Sequence, residues 1–491
     1  MFEFSSKLKI TAIVLVLLGV VSVGLSFLGG SEHQGNGTHG EGHGAHAAAQ
    51  EEGHTDAAQQ EDSHGAHGHG EGAHNEAGHT DGQHAEAELE APSSYHKTGA
   101  RANPENDPVA VHRGEGAPAQ THHQAQNEPW ANLLVNSFFF LAISAGALFF
   151  LAVQYAAQAG WTVVILRSLE AMAQFIWVPM VVILLIALSG VFHIGGNHLW
   201  HWLAEGITDP QSSHYDSIIA GKAPYLNGPF FIIRTLIYLV GWAGAAMLLR
   251  KLSLGLEKTG IDYAKQWVKI RKWSVGFLAF FALTSTTGAW DFIMSIDTHW
   301  YSTLFGWYVF AGMFISALTA LMMVVMYLKK QGYLQEVNPS HIHDMAKFMF
   351  AFSIFWTYLW FSQYMLIWYA NKPEEATYYM IRFFEFKGLL LTMLVMNFVF
   401  PILVLMSRDA KRNFGFIFTA GLIIIAGHWI DVFLMIYPGT VGASASISLI
   451  NIGTFLGFLG LFILVVFRAL SKAPLIPENH PMAVESKYHH I

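Results

Sequence analysis

Ten apolar runs, each about 20 residues long and separated by polar segments, constrain this chain more than any other feature. They fall at roughly 9–28, 133–155, 168–192, 227–249, 272–294, 303–328, 345–370, 384–406, 413–436 and 446–468. A run of that length matches the hydrocarbon thickness of a bilayer, and in lipid every backbone N–H and C=O needs an internal partner. Helices provide that partner, and the runs lack the alternation of a transmembrane β-barrel. The expected fold is an all-α integral membrane protein with about ten transmembrane helices. A hydrophobic fraction of 53% against 13% charged residues agrees with it.

Lys and Arg set the expected orientation. With the N-terminus inside, nineteen of the 27 basic residues fall on the inner side, seven on the outer side, and Arg234 in the membrane. That bias predicts both termini in the cytoplasm, and a bacterial inner membrane as the location. The first run follows Lys7 and Lys9. It reads as an uncleaved anchor over 1–29 rather than a signal peptide, because no clear small-residue cleavage pattern follows it. The segment 30–129 is rich in Gly, Ala, His and Glu and holds fifteen of the 26 histidines. It cannot bury enough apolar surface to offset its chain entropy, so it is expected to be disordered and periplasmic. Loose metal binding by its imidazoles is the other reading of it. A helical membrane domain over 130–470 and a cytoplasmic tail over 471–491 complete the organisation.

The chain has no cysteine, which excludes disulfides, thiolate-bound iron–sulfur clusters, covalent c-type haem and a thiol nucleophile. A net charge of -8 with no basic stripe argues against a nucleic-acid partner. No nucleotide-binding or nucleophile motif is present. Paired membrane histidines for a b-type haem are also missing, since only His428 lies firmly inside a run, with His193 at the edge of another.

Ionisable residues within spans are costly and point to function by default. Counted from the outer ends of their runs, Asp291 lies roughly 5 Å deep, Asp431 about 8 Å, Arg234 about 10 Å and His428 about 12 Å. His193 closes the third run on the same side. These residues form an expected polar layer in the outer third of the membrane. His428 and Asp431, in GHWIDVF, are i,i+3 neighbours on one helix face. Two readings stand. A carboxylate beside the imidazole makes a proton acceptor suited to a quinol. Alternatively Asp291 or Asp431 simply neutralises Arg234. An inner set, with His341, His343, Asp344 and Lys347 in HIHDMAKF, Ser353, Thr357 and Tyr364 beyond them, and Glu170 and Gln174 in the third run, suggests a proton path from the inner side. Against it, Ser and Thr in membrane helices commonly bond their own i−4 carbonyl.

TTGAWDFIMSID and IAGHWIDVFLMIY share Gly, Trp, Asp, Phe and Met in order, with a one-residue shift. Runs 2–5 and 6–9 then read as two related four-helix bundles, with the first and last runs peripheral. The outer loops HLWHWL and IDTHWYSTLFGWY carry Trp200, Trp202, Trp300, Tyr301 and Trp307, which suit a membrane interface. Their histidines, His198, His201 and His299, have no fixed ligand spacing.

HLWHWL, DSIIAGKAPYLNGPFFIIRTLIY (216–238) and GAWDFIMSIDTHWYSTLFGWYVFAG (288–312) resemble the NrfD/polysulfide-reductase membrane-subunit family in the form found in alternative complex III, a bacterial quinol:cytochrome c oxidoreductase; the likeness is to its ActF-type branch. The resemblance spans about residues 130–470. It implies ten helices in two four-helix bundles with peripheral outer spans, and no redox centre in this chain. It implies as partners a homologous NrfD-like membrane subunit, a periplasmic iron–sulfur protein, c-type haem subunits and a terminal oxidase. It implies a quinol site, for menaquinone or another quinone, at the outer side of a bundle, where His193 and Trp290 are the candidate lining residues and His428, Asp431, Asp291 and Arg234 the proton-handling ones. Two other functions remain open from the residues: the membrane anchor of a molybdenum oxidoreductase, and a metal-ion transporter with a His-rich loop.

Overall fold

The computed structural model describes residues 2–32, 118–258, 262–443 and 445–490. The His-rich stretch 33–117, for which disorder is expected, lies outside them. All regular structure in the described residues is helical. In chain order the helices are α1 (Ser6–Glu32), α2 (Pro118–Ala157), α3 (Leu166–Ala173), α4 (Trp177–Val191), α5 (Ser217–Lys222), α6 (Gly228–Gly255), α7 (Tyr263–Phe292), α8 (Phe305–Lys330), α9 (Pro339–Ala370), α10 (Pro373–Phe384), α11 (Lys387–Leu394), α12 (Phe400–Leu405), α13 (Phe414–Thr440), α14 (Leu449–Leu470) and α15 (Ala483–Lys487). A π-helical segment, Val395–Val399, joins α11 to α12.

Nine stretches among the described residues are long and apolar enough to cross a membrane. They cover nine of the ten expected runs. The run at 345–370 lies in α9, a 32-residue helix of ample length. It falls outside the nine because Trp, Tyr, Ser, Thr and Gln dilute its apolar content. The α2 helix starts at Pro118, ahead of the apolar run, since AQTHHQAQNE continues a helix readily and proline is well placed in a first turn.

Side-chain caps define several ends. Asn227 accepts from the Phe230 N–H at the start of α6, and Asp262 from the Lys265 N–H at the start of α7. Asn338 and His341 form a reciprocal capping box that opens α9, as Ser448 and Asn451 do for α14. The span of α2 is almost wholly buried, and this helix packs on α3, α4, α7, α8, α13 and α14. Around it, α4, α6 and α7 pack in sequence, and α9, α11 and α13 gather on or next to α8. At the edge, α1 lies along α14, and Gly19 and Gly457 let the two backbones meet. A Cβ on Gly19 would lie 2.2 Å from the Gly457 Cα.

Both chain ends lie on one face, called the terminal face below. The Glu3 N–H donates to the Tyr333 hydroxyl, and Phe2 packs on Tyr333 and Phe467. The C-terminal tail folds back across the same face. The Ser486 hydroxyl donates to the Trp161 carbonyl, the Ser486 carbonyl pairs with the His341 ring, and His489 meets Asp344 at 2.7 Å. His480 is buried against the Trp267 ring.

His341 and His480 give this tail a pH dependence. Burial, and the His489 imidazole next to it, bring His341 down to about 4. Burial and the Arg167 charge do the same to His480. Released from the fold, each returns toward 6.5 and takes up more protons between those values. Tail docking therefore weakens as pH falls from 6.5 toward 4, by on the order of 1–2 kcal/mol per histidine by pH 5. Protection of the 480–489 amides, taken relative to an intrinsic exchange rate that is itself slower at low pH, is weaker at pH 5 than at pH 7. Equal protection at both values contradicts this assignment.

Candidate functional site

The expected polar residues fall in two separate clusters, one on α6 and α7 and the other where α8, α9 and α13 meet. In the first, Arg234 of α6 grips Asp291 of α7 with two parallel bonds, Nε–Oδ2 2.8 Å and Nη2–Oδ1 2.9 Å. The Tyr238 hydroxyl adds a third bond to Asp291 at 2.7 Å. Arg234 also donates to the Tyr225 carbonyl at 3.0 Å, and its guanidinium lies over the Tyr225 and Phe230 rings. Asp291 is 0% exposed and Arg234 6%. A bidentate, fully hydrogen-bonded pair is the form in which a buried ion pair is tolerated. Of the two acids that sequence offered to Arg234, it is Asp291 that takes it.

In the second cluster, Asp431 of α13 has no arginine. One oxygen accepts from the Tyr308 hydroxyl of α8 and the other from the Trp356 indole of α9, at 3.0 Å. His428 lies one turn back, its Nδ1 3.8 Å from Asp431 Oδ2, too far for a hydrogen bond. Its ring sits edge-on to Trp356, and neither ring nitrogen has a hydrogen-bond partner among the described residues. The glycine at 312 on α8 opens the space: a Cβ there would meet His428, Trp356 and Asp431 at 3.5–3.7 Å. Asn397 lies in the π-helical segment against Gly427, fully buried, with neither amide atom hydrogen-bonded among the described residues. A single extra residue in a helical turn re-aims a side chain in this way. A cleft of about 20 Å³ adjoins Asp431, between Tyr308, Gln363, Tyr379 and Arg382, with room for one water.

Arg382, which sequence placed in an outer loop, is buried. It donates to Asp297 at 3.1 Å and to the carbonyls of Tyr378, Leu434 and Met435. Its guanidinium lies 3.4 Å from the centre of the Tyr378 ring, and Tyr378 stacks on Trp300 at 3.9 Å. That stack ties the segment after α7 to α10.

Trp290 lines a cavity of about 320 Å³ on the face opposite the chain termini. The cavity lies between the turn 221–226 and the segment 294–301, and Tyr225, Leu226, Met294 and Trp300 form much of its wall. Three buried donors there have no hydrogen-bond partner among the described residues: Trp290 Nε1, Trp300 Nε1 and the Tyr225 hydroxyl. Buried polar groups are normally paired, so three orphans around one cavity mark a place for a ligand or ordered water. Burial and the nearby Asp291 charge push the Tyr225 phenol well up, which keeps it a donor. Lys222 closes one side through the Thr298 carbonyl. On the rim, His299 Nε2 lies 2.6 Å from Asp216 Oδ2.

The other expected site residues are dispersed. His193 lies two residues beyond α4 in a left-handed conformation, exposed, its ring 6.0 Å from that of His198 and outside the cavity lining. Glu170 is buried in a network of its own with Arg167 (2.8 Å) and the Tyr155 hydroxyl (3.1 Å). Lys347 is half exposed and paired with Asp344. Thr357 bonds the Ser353 carbonyl, its i−4 partner, while the Ser353 hydroxyl is buried with no partner among the described residues. Tyr364 packs among Trp360, Tyr379 and Phe383. Among the described residues no three His, Asp or Glu side chains gather as a metal ion requires. Tyr308, Trp356, Asn397 and Tyr225 were not expected at these sites. Their contacts are made across helices, and in sequence they look like ordinary interface or core residues. No family model matches the chain, and no curated protein matches it.

Proposed function

We propose that this chain is an integral membrane subunit of a quinol:cytochrome c oxidoreductase, or of one serving another periplasmic acceptor, and that it holds no redox centre itself. In this reading it crosses the inner membrane ten times with both termini in the cytoplasm. Spans 2–5 and 6–9 form two four-helix bundles, and its partners are those of alternative complex III: a homologous membrane subunit, an iron–sulfur protein, c-type haem subunits and a terminal oxidase.

The observation that carries the reading is the cavity at Trp290. Its size suits a quinone head group, its walls are apolar, and its three unpartnered donors suit the two oxygens of a quinone ring. A bound quinol supplies two electrons and two protons. Tyr225, Trp290 and Trp300 hold its oxygens by donating hydrogen bonds, the apolar wall orients the ring, and the Arg234–Asp291 pair fixes Tyr225 from behind. Electrons leave to the partner subunits, and the two protons leave to water at the outer face past the His299–Asp216 pair on the rim. His428 and Asp431, with Tyr308, form the proton-handling element of the second bundle.

Tyr225→Phe tests the site. Removing one hydrogen bond raises KM for a short-chain quinol by about 3–10-fold and leaves kcat nearly unchanged, measured on the whole complex. If Tyr225→Phe and Trp290→Phe both leave KM unaltered, the quinol does not sit in this cavity.

A further inference from the structure

Basic residues next to membrane spans usually stand out in the headgroup water, where their charge needs no protein partner. A group on the terminal face does not follow that habit. Lys411 lies in the single turn Ala410–Arg412, which packs against the first part of α9 and the start of α13. Its side chain is buried at 8% exposure, over the Phe350 ring, and among the described residues its one hydrogen bond is to the Met406 carbonyl at 3.4 Å. His343, at the opening of α9, is 6% exposed and its Nδ1 has no hydrogen-bond partner among the described residues. Lys347, one turn further on, completes the group.

Negative charge is short here. Among the described residues, two carboxylates belong to these segments. Asp344 is already shared between Lys347 at 2.6 Å and His489 at 2.7 Å. Asp409 is exposed on the turn. The cations act on one another as a result. Burial and the Lys347 charge pull Lys411 down, and burial followed by Lys347, Arg412 and Lys411 does the same to His343. A buried ammonium such as Lys411, with no carboxylate paired to it among the described residues and a second lysine and a histidine close by, favours the binding of an anion.

We propose that Lys411, Lys347 and His343 bind a phosphate group, the phosphodiester of an anionic phospholipid in the leaflet at the terminal face. The apolar runs begin at these residues, so the cluster sits at headgroup depth. Phe348, Phe416 and Phe418 are exposed close by in sequence and offer the acyl chains an apolar track. An inorganic phosphate has the same head chemistry but gains nothing from that track. The proposal stands apart from the quinol reading, since it concerns the opposite face.

The test is thermal unfolding of the full-length protein in neutral detergent, with added phosphatidylglycerol, phosphatidylcholine or inorganic phosphate. Phosphatidylglycerol raises the unfolding temperature above the phosphatidylcholine value, as expected of a ligand bound only by the folded state. Lys411→Gln and Lys347→Gln each remove about half or more of that increment. Lys269→Gln, an exposed lysine outside the cluster, keeps it. An equal increment from inorganic phosphate, lost in the same two variants, supports the phosphate site and assigns it a soluble ligand. No difference between the two lipids in the unaltered protein overturns the proposal, as does an increment that survives in both lysine variants. Because Lys347 is half exposed, its variant remains informative if Lys411→Gln fails to fold.

Discussion

Arg234→Met destabilises the protein by roughly 3–5 kcal/mol, the range for removing one partner of a buried pair. The size of the effect follows from what is left behind. Asp291 is 0% exposed, and two of its three side-chain bonds come from Arg234. Without the guanidinium, the carboxylate keeps only the Tyr238 hydroxyl and lies uncompensated in an apolar setting. The double variant Arg234→Met/Asp291→Leu removes both charges and recovers most of the loss. Unfolding of the purified protein in detergent reads both. If the double variant is as unstable as the single one, the cost comes from lost packing over Tyr225 and Phe230 and not from an orphaned charge.

Asp431→Asn has its larger effect on turnover. The amide oxygen of an asparagine still accepts from the Trp356 indole, but its NH2 meets Tyr308 as a donor and the phenol must turn to accept, a loss of about 1 kcal/mol. The fold survives that loss, but the group that exchanges a proton is gone. Turnover of the whole complex then falls about 100-fold, within the usual range for a lost general acid or base. Tyr308→Phe keeps the carboxylate and retains more activity. Quinol-dependent turnover of the Asp431→Asn complex within about twofold of the unaltered one contradicts a proton role and leaves His428 and Asp431 as packing residues.

The spans were legible because hydropathy is a property of single runs. Nine of ten met the same criterion in the folded chain, and α9 differed only through its aromatic and polar content. Position along each run was legible too, and it puts Arg234, Asp291, Asp431 and His428 at similar distances from one end of their runs. Partner choice was not. Whether Arg234 takes Asp291 or Asp431 depends on which helices are neighbours, and one-dimensional depth carries no such information. The same limit hid Tyr308 and Trp356, whose roles arise only where α8, α9 and α13 meet. It hid the burial of Arg382, which a hydropathy profile assigns to a loop. The proton path drawn through Glu170, Lys347, Ser353, Thr357 and Tyr364 relied on helix-face spacing alone. Glu170 is held on α3 by Arg167 and Tyr155, and Thr357 bonds its own helix. Ser353, Asn397 and His428 are buried with polar atoms that have no hydrogen-bond partner among the described residues, a feature that only tertiary packing brings into view.

The most direct test is to purify this protein from its native membrane in mild detergent and record a reduced-minus-oxidised spectrum with a quinol:cytochrome c assay on the same sample. A c-type haem band with quinol-dependent turnover is the predicted result. The haem must belong to partner subunits, because a chain without cysteine has no thioether attachment point. An intact, colourless preparation with no quinol-dependent turnover contradicts the account.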